Sequence, residues 1–245
     1  MEEKLGVKSN AIEVLDKQLK NRAKKNQHGL IVLSSATDPY LQVEKDIKLT
    51  RKILELVLQY RFPVHIITRS DLIVRDFDLL KEINNKAILP PDLSIKLKHG
   101  VIVSFSFSTT DDVIQKIFEP GATPASKRLD AVKKSITTGF HTGISLMPLL
   151  PYITDTPEHL NKMFAVFKDL NVNYILPASL TLFGMNPSDS KPLVLSAIKK
   201  HFPELEAQYT KLFSFGFHPP KWYRDIVDKR TNAFCQQFGI SQSIL

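Results

Sequence analysis

The 245 residues carry 33 Lys+Arg against 25 Asp+Glu, a formal net charge of +8. Such a surplus draws phosphate-bearing partners over a long range without identifying one, so a nucleic acid is only weakly indicated. At 43% hydrophobic and 24% charged, the composition is that of a folded globular chain long enough to bury a core, which excludes a disordered polypeptide. No apolar run has the length of a membrane span, and the start Met1-Glu2-Glu3-Lys4 lacks the basic-then-apolar pattern of a secretory signal. A cytoplasmic protein without a membrane partner is therefore expected. A single cysteine, Cys235, excludes an intrachain disulfide and any metal site built from several thiolates.

Helical and strand patterns alternate along the chain, which predicts a mainly parallel sheet with helical crossovers. Asn10 stands as N-cap to an amphipathic helix over 11–20, its apolar stripe formed by Ile12, Val14, Leu15 and Leu19. Lys17, Lys20, Arg22, Lys24 and Lys25 fall on its exposed face and tail, where a solvated helix end accounts for them better than a nucleic-acid patch. The run 30–33 reads as a parallel strand covered on both faces, and 46–60 as a helix stopped by Pro63. Residues 64–68 form the next strand, 76–84 a helix, and Pro90-Pro91 a connection. A strand over 101–106, a helix over 125–138 and a strand over 142–147 ended by Pro148 follow. Pro157 fits the first turn of a helix, and the last strand lies within 172–182. The remainder is helical, so the predicted organisation is a domain over 1–189 and a helical extension over 190–245.

In such folds ligands sit at the carboxyl ends of the strands. Those ends are rich in small hydroxyls: Ser34-Ser35-Ala36-Thr37-Asp38, then Thr68-Arg69-Ser70-Asp71, then Ser104-Phe105-Ser106. Arg69 can hold a carboxylate or phosphate, Asp38 can accept from an amine or ribose, and Ser104 and Ser106 can donate. Any one of these is also an ordinary helix cap or turn residue; their recurrence at one end of successive strands is what points to a small-molecule cradle. The sequence has no His-Glu-x-x-His, Gly-x-Ser-x-Gly or phosphate-loop motif, and His65, inside an apolar strand, reads as a packed core histidine.

Thr37-Asp38-Pro39-Tyr40, Glu44, Thr50-Arg51, the stretch 62–76 with Thr68-Arg69-Ser70 and Arg75-Asp76, Ser104-Phe105-Ser106, Glu119-Pro120-Gly121, Arg128 and Pro148 to Asp155 occur in this order. This series resembles the radical S-adenosylmethionine (AdoMet) proteins related to spore photoproduct lyase. The resemblance covers 5–184 and implies a partial (β/α) barrel that binds AdoMet across its strand ends. It places Ser35, Thr37 and Asp38 at the methionyl end, Arg69 where relatives direct a lysine at the cofactor carboxylate, and Ser104 and Ser106 at the next strand end. Met147 and Pro148 fall near the adenine; Glu119 and Arg128 match positions of unspecified role.

The resemblance also implies a 4Fe-4S cluster bound by Cys-x-x-x-Cys-x-x-Cys, which this sequence does not contain, nor does it supply the hydrogen-donor cysteine of spore photoproduct lyases. The expectation is thus a lyase-like enzyme family seen through a truncated, cluster-free chain. Two other readings stay open: a cluster-free descendant that binds nucleosides or nucleic acid, and a non-catalytic interaction domain.

Overall fold

The computed structural model describes residues 6–34 and 37–245. The chain divides into two compact units, one made of residues up to Phe105 with 127–143 and Leu245, the other of 106–126 and 144–244. One five-stranded sheet has the strands in chain order, β1 (Ile31–Leu33), β2 (Val64–Thr68), β3 (Val101–Ser106), β4 (His141–Leu149) and β5 (Tyr174–Ser179). Helices intervene between successive strands, as parallel pairing demands. The helices are α1 (Ala11–Lys24), α2 (Glu44–Ile47), α3 (Leu49–Gln59), α4 (Phe77–Lys86), α5 (Pro91–Ser94), α6 (Asp112–Phe118), α7 (Ala125–Thr137), α8 (Pro157–Asp169), α9 (Ser190–His201), α10 (Glu206–Leu212) and α11 (Lys221–Phe238).

In the first unit β2 pairs in parallel with β1 (Val32 opposite His65) and with β3 (Ile66 opposite Val103). Every residue of β3 is buried, as are Thr50, Leu54 and Val57 of α3 and Leu79, Leu80 and Ile83 of α4. The end of α4 approaches the start of β3 so closely that a Cβ on Gly100 would lie 2.7 Å from the Ala87 Cβ and 2.9 Å from the Ile83 carbonyl oxygen. Only glycine fits there.

In the second unit α8 buries Leu160, Met163, Phe164 and Phe167, and α11 packs on it with Phe234 and Phe238 at ring centroid distances of 5.5 and 6.0 Å from Phe164. Gly239, at φ +61°, ends α11 in the left-handed conformation that favours glycine. The chain then runs back along β5, where Ser241 forms a parallel bridge with Tyr174 and its carbonyl accepts from the Ile175 N–H at 2.8 Å.

Several local expectations are corrected. Asn10 makes no side-chain cap, and α1 extends to Lys24. The helix over 46–60 is two helices broken at Lys48 (φ +52°), because the Glu44 carboxylate takes the Leu49 and Thr50 N–H groups and begins α3 afresh. The first strand is not covered on both faces: Val32 is 47% exposed, and among the described residues β1 pairs only with β2. Pro148 does not end β4; the Met147–Pro148 bond is cis and the strand continues to Leu149. Helix α6 had no apolar stripe long enough to announce it, and the bridge at Ser241 puts a strand contact in the tail expected to be wholly helical.

Candidate functional site

In the first unit, the residue after the β1 loop that matters most is Asp38. Its Oδ1 accepts from the Thr68 hydroxyl (2.7 Å) and the Tyr40 N–H (2.8 Å), and its Oδ2 accepts from the Arg69 N–H (2.7 Å). The carboxylate therefore staples the loop after β1 to the carboxyl end of β2. The Thr68 oxygen also accepts from the Ser70 N–H at 3.0 Å, so the turn that presents Arg69 is held at both ends. Arg69 is half-buried, and its guanidinium has no hydrogen-bond or ion-pair partner among the described residues. A cation fixed at its backbone and unpaired at its tip is equipped to receive an anion.

Thr37 is exposed beside this staple, whereas Ser35 lies outside the described residues. Ser104 is fully buried, its oxygen 2.7 Å from the His65 Nε2. Burial, reinforced by the nearby His141, lowers the His65 pKa to about 4 and keeps the ring neutral near pH 7. Ser104 thus points at a core histidine.

Behind the staple lies a charged network. Glu44, 5% exposed, accepts the Leu49 and Thr50 N–H groups at 3.0 and 2.9 Å and the Arg75 Nη2 at 3.1 Å. Arg75 also grips Asp76 through Nε and Nη2 and the Glu44 carbonyl through Nη1. Arg51 reaches Asp76 at 2.9 Å and forks onto Asp78, whose pKa falls to about 2 beside that guanidinium. The Arg75 guanidinium carbon sits 5.9 Å from the Tyr40 ring centroid. Glu44, Arg51, Arg75 and Asp76, conspicuous as sequence words, prove to be bracing behind the strand ends.

In the second unit Ser106 is buried at the end of β3, while Met147 and Pro148 are half-buried in β4. Ser108 donates to Glu119 Oε1 at 2.5 Å, and the Thr109 oxygen lies 2.8 Å from the His159 Nε2. A denser cluster gathers around the loop that leaves β4. Asp155 Oδ2 accepts from the Tyr223 hydroxyl at 2.6 Å and Oδ1 from the Tyr152 N–H at 2.8 Å, while Arg230 donates to the Asp155 carbonyl. Tyr209 donates to the Pro151 carbonyl at 2.9 Å. Burial raises the Asp155 pKa above the ordinary carboxylate range, against the opposing pull of the Tyr223 hydrogen bond. Tyr209 and Tyr223 come from the helical tail, to which no role was assigned; their spacing carries no motif, so only folding brings them to Asp155.

A 4Fe-4S cluster does not fit these residues. Three thiolates are needed, whereas the sequence has only Cys235, which is buried in α11 with its thiol pushed up to about 11. Among the described residues no group of three or more His, Cys, Asp or Glu is placed to hold a metal ion, and no helix is long and apolar enough to cross a membrane.

The fold is that of the partial (β/α) barrel of radical AdoMet enzymes. A spore photoproduct lyase variant superimposes with a TM-score of 0.60 at 13% identity, covering 93% of this chain and 64% of that one. Another variant of the lyase, with bound AdoMet and dinucleoside spore photoproduct, gives 0.59 at 14% identity over the same shares. Streptococcus suis SuiB bound to precursor peptide SuiA gives 0.54 at 11% identity, covering 97% of this chain and 42% of that one.

No family model matches the sequence. Among curated proteins, the uncharacterized protein ORF301 of Acidianus two-tailed virus is 29% identical over 204 residues, 82% of this chain and 62% of that protein. The uncharacterized protein MJ0683 of Methanocaldococcus jannaschii is 32% identical over 133 residues, 54% of this chain and 45% of that protein. Uncharacterized protein Rv2578c of Mycobacterium tuberculosis is 24% identical over 236 residues, 96% and 64% respectively. The chain therefore spans less than two thirds of the length of each of these relatives.

Proposed function

We infer that this chain binds AdoMet, with Arg69 as the contact to the cofactor's carboxylate. The observation that carries the reading is the half-buried Arg69 guanidinium, unpartnered among the described residues and aligned by the Asp38 staple at the carboxyl end of β2. Thr37, exposed on the same loop, is a further donor within that unit. The lyase that shares the fold carries AdoMet in its structure, which supports the choice of ligand. Radical cleavage of AdoMet requires a cluster whose thiolates are not among these 245 residues, so binding, rather than turnover, is the activity proposed for them.

Calorimetry of the chain with AdoMet tests this. The expected result is saturable one-to-one binding that weakens about tenfold or more in Arg69→Ala, the usual scale for losing a hydrogen bond to a charged group. Absence of binding, or an Arg69→Ala titration that overlays the wild type, overturns the reading. Single-stranded DNA titrated across a salt series checks the alternative suggested by the +8 charge; affinity falling steeply with salt supports that alternative.

A further inference from the structure

We propose that the second unit holds a binding site for a nucleobase, in the cavity between the loop leaving β4 and helix α11. The cavity has a volume of about 450 Å³, in the range of small-molecule sites. Its walls include Trp222, Tyr152, Ile226 and Pro157. The first three remain 58%, 36% and 44% exposed, so a cluster of large apolar side chains is left facing solvent. Two aromatic rings in one cleft favour a flat partner, because every base presents a π-face that stacks favourably on such a ring.

The polar groups narrow the choice among flat partners. Arg230 spends one N–H on the Asp155 carbonyl, and the rest of its guanidinium fork has no partner among the described residues. Glu158, in the first turn of α8, lines the same cavity with an unpartnered carboxylate. A donor fork and an acceptor in one cleft suit a ring that carries acceptors and donors on its edges, as nucleobases do and hydrocarbon rings do not.

The frame is set in advance. Asp155 ties the Tyr152 N–H to the Tyr223 hydroxyl, and Tyr152 itself is held at φ +62°, a conformation a tyrosine seldom adopts unaided. A wall fixed before the ligand arrives loses little entropy on binding. The positive net charge further favours bases that carry phosphate.

Trp222 is the single tryptophan of the chain, so its emission reports on this cavity without labelling. The full chain is titrated with guanosine, adenosine, cytidine and thymidine, and with benzyl alcohol as a ring lacking a base's edges. A saturable change in emission with at least one nucleoside is expected, lost in Ile226→Arg and weakened about tenfold in Arg230→Gln. Melting temperatures of both variants establish that they fold, and Ile226 is exposed enough for the arginine to be accommodated. Ile226→Arg should leave the Arg69-dependent binding of AdoMet unchanged, which separates this site from the AdoMet contact of the first unit. No saturable response to any nucleoside, benzyl alcohol binding as tightly as the nucleosides, or an unaltered titration in folded Ile226→Arg each overturns the proposal.

Discussion

Each unit of the molecule buries an aspartate, and the two are stabilised by different chemistry. Asp76 in the first unit, with no exposed surface, sits between the guanidinium groups of Arg51 and Arg75. Asp155 in the second, 2% exposed, receives a phenol hydroxyl and a backbone N–H, both neutral donors. The difference teaches where each unit is vulnerable. Removing one member of an ionic network strands the other charges in a poorly solvated place, whereas removing one neutral donor leaves a single unmet acceptor.

The largest expected effect is therefore Asp76→Ala, which should cost about 3–5 kcal/mol because two guanidinium groups lose their common partner. Urea unfolding measures it, and a loss below about 1 kcal/mol would break the comparison at its stronger side.

The core histidine of the same unit extends the contrast to pH. Because burial holds His65 at about 4 in the folded chain, the unfolded chain takes up this proton first, near 6.5. Stability present above about pH 6.5 should be lost as the pH falls towards 4, by about 3 kcal/mol at most. Thermal melts across that window should fall more steeply for the wild type than for His65→Gln.

A smaller effect is expected for Tyr223→Phe, about 1–1.5 kcal/mol, the net worth of one hydrogen bond. Because that hydroxyl stabilises the carboxylate form, its removal should also move Asp155 protonation to still higher pH. A raised carboxyl pKa favours the folded state below the unfolded value near 3.9 and loses that benefit as pH rises through the folded value. Carbon NMR of the Asp155 carboxyl follows the shift, and an unmoved titration would deny the neutral-donor account.

The smallest effect belongs to Asp78→Asn. Its side chain is 64% exposed, so the substitution should cost less than about 1 kcal/mol by urea unfolding despite good geometry with Arg51. A larger loss would show that the exposed pair is part of the buried network rather than its rim.

Most strands were legible because burial leaves continuous apolar runs; residues 64–68 and 101–106 were read to the residue. The break of the second helical stretch at Lys48 was not, since nothing local to residues 46–60 reveals that the Glu44 side chain will take two backbone N–H groups downstream. At the strand ends, Arg69 was singled out by its residue type and position. What the Asp38 side chain does could not be read from type, because a carboxylate offers the same lone pairs to a ligand as to the N–H of a neighbouring turn.

By itself, then, the sequence determined the alternation of strand and helix, the positive charge and the lack of thiolates for a cluster, because these depend on periodicity and composition. Tertiary structure decided which polar groups are occupied. It turned Asp38 into a staple and Ser104 towards His65, and it left the Arg69 guanidinium unpartnered among the described residues. It also brought Trp222, Tyr223 and Arg230, dozens of positions along the chain, to the loop after β4. Hydrogen bonds and cavities depend on distances between residues far apart in the chain, and a linear pattern does not contain those distances.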